Sequence, residues 1–162
     1  MPGFSASPNF LVSRRDRSEQ TRNYTVIGDT VNLASRIEGA NKTYGTRVLI
    51  SEATNRLAAD MLETREIDSV VVVGKTEPQR IFELLGRKGE VASERLALRD
   101  AYVEALDVYR RMDWERALAG FEDCLAMVPC DGPGKVFLER IAHFRVNVPS
   151  VEWDGVWSLV EK

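Results

Sequence analysis

The residue pair in this chain best suited to chemistry is Asn32 and Arg36, four positions apart. On a helix that spacing puts both on one stripe. An amide and a guanidinium fixed side by side on a rigid element can grip a ribose or phosphate oxygen. The rest of the chain offers few competing centres. His143 is the only histidine, which argues against histidine-based acid-base chemistry or a His-rich metal site. Cys124 and Cys130 do not make a metal-ligand spacing and are expected to be free thiols in a reducing cytoplasm.

The elements that must position the pair read as strand, tight turn and helix. Tyr24-Thr25-Val26-Ile27 is β-branched and aromatic, and Gly28-Asp29 punctuates it. Asp29 is a good N-cap for a helix beginning at Thr30. Val31, Ala34 and Ile37, with Leu33 and Ala40, recur at helical spacing and give that helix a face to bury. Gly45 then ends an element, Thr46-Arg47-Val48-Leu49-Ile50 reads as a short buried strand, and Ser51 caps a helix over 51–58. Thr54 stands where a capping-box Glu would, so that cap is one-sided. Glu66 to Val73 and Arg80 to Leu85 read as strands joined by the turn-like Gly74-Lys75-Thr76-Glu77-Pro78, and are expected to pair antiparallel.

The run from Asn23 to Gly39 resembles the strand-turn-helix of the class III nucleotidyl cyclases, the enzymes that make cyclic AMP or cyclic GMP. The likeness continues through Thr46-Arg47-Val48-Leu49-Ile50-Ser51 and through Val73-Gly74-Lys75-Thr76-Glu77-Pro78 followed by Ile81-Phe82-Glu83-Leu84. It implies that Asn32 orients the ribose, that Arg36 stabilises the transition state, and that Lys75 contacts the nucleotide phosphates. Alone, Lys75 would read as a solvated turn lysine. The resemblance also puts Thr25 where the family reads the purine, which supports ATP over GTP; an ordinary strand threonine is the alternative. Two metal-binding aspartates, which hold two Mg²⁺ on the triphosphate, belong to the family's N-terminal half. The 23 residues before Tyr24 are too few for that half, and Asp16 lies in a charged stretch with no strand-like surroundings. The expectation is therefore that this chain carries no metal ligands and that Mg²⁺ comes from a missing half or a partner subunit.

Beyond Leu85 the pattern changes. Gly86-Arg87-Lys88-Gly89-Glu90 has a linker's composition. Leu98, Tyr102, Ala105, Tyr109 and Met112 then line one helix face, and Trp114, Ala117, Leu118, Phe121, Cys124, Leu125 and Val128 line a second, so an antiparallel hairpin is expected. Ala117, Phe121 and Pro129 resemble part of a tetratricopeptide unit, without that repeat's first-helix Trp and Gly. Asp131-Gly132-Pro133 turns into a third helix with Phe137, Ile141 and Phe144 on its apolar side. Trp153 and Trp157 are expected to pack against the helices, a peptide groove being the sharper reading.

The expected fold is α+β: a partial ferredoxin-like cyclase sheet with helices, followed by a helical hairpin or three-helix tail. Its expected division is a disordered or loosely attached arm over 1–22, the partial cyclase domain over 23–85, and a linker over 86–93. A tetratricopeptide-like tail over 94–146 and an extension over 147–162 complete it. With 162 residues, 44% hydrophobic and 29% charged, the composition is that of a soluble globular protein. A net charge of −3 gives no field to attract a nucleic acid polymer or a membrane surface. No apolar run is long enough to span a bilayer and the N-terminus is no signal peptide, so the expected location is cytoplasmic. The resemblance implies the C-terminal part of an adenylate cyclase converting ATP to cyclic AMP and pyrophosphate, inactive alone. Its implied partner is a second copy or a full-length cyclase subunit. The alternative is a non-catalytic interaction or dimerisation protein that uses the helical tail to bind a partner.

Overall fold

A computed structural model of the chain describes residues 29–71 and 77–158. Its elements run α1 (Asp29–Tyr44), β1 (Leu49–Ser51), α2 (Glu52–Ala58), β2 (Leu62–Val71), β3 (Gln79–Arg87), α3 (Ser93–Arg110), α4 (Trp114–Met127), α5 (Gly132–Val146) and β4 (Trp157–Ser158). The fold is thus mixed α and β, as expected, and consistent with part of a cyclase sheet with its helices. The strand Tyr24–Ile27 and the Gly74–Thr76 part of the turn lie outside the described residues.

Three antiparallel strands carry the sheet, in the order β1-β3-β2, and the two-residue β4 adds to the far edge of β2 in parallel. The expected β2/β3 pair is present, with β2 beginning four residues earlier than the Val-rich run suggests. The start of β2 alternates poorly in hydrophobicity, and charged partners replace the missing apolar signal. Arg65 lies across from Glu83 and is bonded to it from Nε at 3.0 Å and from Nη2 at 2.7 Å.

The register of β2 shifts between Glu66 and Asp68, which face Phe82 and Ile81. Ile67 is the extra residue of this β-bulge. A regular strand would send Ile67 and Asp68 to opposite faces. Here both are fully buried. The bulge therefore turns a carboxylate into the interior.

Local chemistry explains the helix ends. Gly45, at φ +65°, closes α1 in the left-handed conformation while the Thr46 amide donates to the Asn41 carbonyl at 3.1 Å. Ser51 caps α2 by accepting from the Thr54 amide at 3.3 Å, and the Thr54 hydroxyl meets Ser51 Oγ at 3.1 Å. Asp113 caps α4 and Asp131 caps α5, accepting from the Gly134 amide at 2.9 Å with Pro133 in the first turn. Met112, expected at the end of the first hairpin helix, instead sits in the α3–α4 turn at φ +61°.

One core runs through the sheet and the C-terminal helices. Ile37, Ala40, Leu49, Ile67, Val70 and Ile81 are continuous with Tyr102, Leu106, Phe121, Phe137 and Ile141. Edge-on aromatic contacts dominate its centre, with Tyr109 4.7 Å from Phe137 and Tyr102 5.3 Å from Phe121 between ring centroids. Trp153 packs on Tyr109 and Phe144, and Trp157 on Phe144, so both tryptophans are packing anchors.

Candidate functional site

Asn32 and Arg36 both lie on α1, one turn apart. The side chains of 29–36 are outside the described residues, as are Thr25 and Lys75 altogether. What the structure describes is how the helix that bears the pair is held.

The following half of α1 is buried through Ile37, Ala40 and Tyr44. Tyr44 ends the helix at a buried polar centre that sequence reading does not single out. Its hydroxyl donates to Asp68 Oδ2 on the β2 bulge at 2.5 Å. Arg140 on α5 donates from Nη1 to the same carboxylate oxygen at 2.6 Å and from Nη2 to the Tyr44 hydroxyl at 2.8 Å. Asp68 also accepts from the Ser69 amide at 2.7 Å. The three side chains join α1, sheet and α5, and all are at most 4% exposed.

Charge states follow from the surroundings. Burial, then the nearby Asp68 carboxylate, pushes the Tyr44 hydroxyl well above its usual pKa, so it stays a neutral donor. Burial alone would depress the Arg140 guanidinium. The Asp68 carboxylate more than offsets this and holds it above its ordinary value, so it stays charged. Its Cζ also lies 4.6 Å from the Trp157 ring centroid and 5.0 Å from that of Phe137.

A second buried cation reinforces the junction. Arg65 on β2 donates to Glu83 on β3 and to Asp131 Oδ1 at 2.9 Å, and lies 4.8 Å from the Tyr102 ring centroid. Asp131 is therefore both the N-cap of α5 and a counter-ion to the sheet. Beside it, a Cβ on Gly132 would stand 2.1 Å from the Tyr44 carbonyl oxygen. The N-terminus of α5 thus abuts the C-terminus of α1 at a distance only glycine permits.

The Mg²⁺ that the resemblance implies has no described ligand set in this chain. Among the described residues, no group of three or more His, Cys, Asp or Glu side chains could hold a metal ion. Among them, too, no helix is long and apolar enough to cross a membrane.

Comparison with known proteins gives the chain its class. It is 33% identical over 146 residues, 88% of its length, to the terminal-differentiation-specific adenylate cyclase of Dictyostelium discoideum. It is 44% identical over 63 residues, 39% of its length, to adenylate cyclase 1 of Rhizobium meliloti. To the adenylate cyclase of Anabaena cylindrica it is 49% identical over 63 residues, 37% of its length. These matches make the chain an adenylate cyclase family member over the stretches they cover. An alignment over 88% of the chain must take in most of the C-terminal helices as well as the sheet. The chain spans 6%, 10% and 12% of those three relatives' own lengths. No family model and no solved structure matches it.

Proposed function

We propose that the chain supplies the ribose-orienting and charge-stabilising part of a class III adenylate cyclase site. What supports this reading most is the Val31-Asn32-Leu33-Ala34-Ser35-Arg36 motif on α1 of a chain homologous to adenylate cyclases. In the reaction, the ATP 3′-hydroxyl oxygen bonds to the α-phosphorus as its proton passes to water. The bond from that phosphorus to the bridging oxygen of the β-phosphate breaks, and pyrophosphate leaves with the electron pair. Asn32 holds the ribose so that the 3′-oxygen faces the α-phosphorus, a matter of orientation. Arg36 offsets the negative charge that grows on the phosphoryl oxygens. Lys75 holds the β- and γ-phosphates, and Thr25 hydrogen-bonds the adenine edge.

The site forms across a head-to-tail pair of subunits, and Mg²⁺ with its carboxylates is assigned to the complementing subunit. The chain is inactive alone on this reading and acts with a second cyclase subunit. Mixing the chain with a cyclase subunit that keeps its metal aspartates but lacks its own Asn/Arg pair should yield cyclic AMP from ATP. Asn32→Ala or Arg36→Ala in this chain should lower that activity about 100-fold or more, as loss of a transition-state donor does. Undiminished activity in either variant would sink the proposal.

A further inference from the structure

We infer that α5 of the C-terminal helices is a positioning element for the α1 helix that bears Asn32 and Arg36, and that Arg140 is its positioning residue. The inference rests on the proposed function for its catalytic consequence and on geometry for the rest. Arg140 is 96 positions from Tyr44 in sequence, yet its two nitrogens reach the Tyr44 hydroxyl and the Asp68 carboxylate together. A planar fork with two fixed donors sets an angle as well as a distance, which a lysine ammonium cannot do. The buried guanidinium faces the buried Asp68 carboxylate at 2.6 Å, so breaking this contact would strand both charges away from water. Gly132 closes the same contact by bringing the α5 backbone against the Tyr44 carbonyl.

The lever arm makes this matter for chemistry. At the helical rise per residue, Arg36 lies about 12 Å and Asn32 about 18 Å along the axis from Tyr44. A tilt of α1 by about 5° at its clamped end would move Asn32 by roughly 1.5 Å. A displacement of about 1 Å at a catalytic group costs on the order of 100-fold in rate. Tyr44, Asp68 and Arg140 are thus placed to set the reach of Asn32 and Arg36 without touching the nucleotide.

Two conservative variants test this, Arg140→Lys and Tyr44→Phe, with Arg145→Gln as control. Arg145 is on the same helix and makes an exposed pair with Glu115. Two readouts are taken well below the unfolding temperature: hydrogen exchange of the 37–44 amides in the full chain, and kcat and KM for ATP in the complemented assay. Both variants should speed exchange in 37–44 at least tenfold while α3 and α4 keep their protection. They should lower kcat at least tenfold with a smaller change in KM, because misplacing Asn32 and Arg36 spoils orientation and charge stabilisation in the transition state more than the binding held by Lys75 and Thr25. The control should leave both readouts unchanged.

Unchanged exchange in 37–44 overturns the inference, whatever kcat does. Faster exchange with unchanged kcat overturns the positioning role and leaves only a structural junction. If the wild-type chain gives no cyclic AMP in any mixture, the proposed function fails, and the exchange data alone decide whether α5 holds α1.

Discussion

The Arg140 guanidinium reaches the Tyr44 hydroxyl at 2.8 Å across 96 residues of sequence, and both donate to the Asp68 carboxylate. This contact joins the helix carrying the cyclase motif to α5. Removing one partner leaves the other buried and uncompensated, which costs about 3–5 kcal/mol. Asp68→Ala should therefore lower the urea midpoint steeply, and Asp68→Ala combined with Arg140→Met should recover part of the loss. Strict additivity of the two single changes would show that they do not form one unit.

Gly132 should tolerate no side chain. The Cβ of Gly132→Ala would meet the Tyr44 carbonyl oxygen, a backbone atom that cannot rotate away. A loss of about 1–3 kcal/mol is expected, in the range of overpacking a tight contact. Gly39→Ala, with open space around it, should instead be neutral or stabilising because alanine is the better helix former. Chemical denaturation of both variants checks the contrast, and an equal response would contradict the close α1–α5 approach.

Glu66 gives the protein an acid-sensitive bond. Burial alone would raise its pKa, but hydrogen bonds from Arg80 on β3 and Arg110 on α3 more than offset this and depress it below the usual carboxylate value. A group depressed in the folded state stabilises fully above its unfolded pKa, and this is lost as pH falls through the folded value. Glu66→Gln should thus cost about 1 kcal/mol at pH 7, Arg80 being partly exposed. The gap should begin to narrow near the ordinary glutamate pKa of about 4.3 and close only as pH falls below the depressed folded value. Urea midpoints of both proteins from pH 7 to 3 check the sign; a gap that widens in acid would contradict it.

The two thiols should differ sharply. Cys124 is buried against the helical core and burial pushes it up to about 11, whereas Cys130 is exposed. Only a thiolate reacts with a disulfide reagent. Native protein at pH 8 should release one equivalent quickly and the second only in guanidinium. Two fast equivalents would place Cys124 outside the core.

What was legible in the sequence was whatever repeats at short range. The β2/β3 pair, the α3–α4 hairpin, the Ser51 cap and the Asp131-Gly132-Pro133 entry to α5 each rest on neighbours within a few residues, and each is present. The buried charges were not legible. Arg140 stands between Phe137 and Ile141, where it would pass for the solvated side of an amphipathic helix. Asp68 looks outward-facing beside Ile67 until the bulge adds its extra residue, and a bulge has no local sequence sign here. Their partners come from three distant elements, so only the tertiary fold brings them together. Thr25 and Lys75 rest on the resemblance alone, and Asn32 and Arg36 gain from the structure a helix backbone with a fixed base.

The most direct test of the account is cyclic AMP formation as a function of mixing ratio. The chain and a subunit with metal aspartates but no Asn/Arg pair would be combined at constant total protein, from one pure component to the other. The expected result is no activity at either end and a maximum near equal amounts, lost when the chain carries Arg36→Ala. Activity of pure chain, or a mixture no more active than its components, would contradict the claim that this chain completes a shared cyclase site.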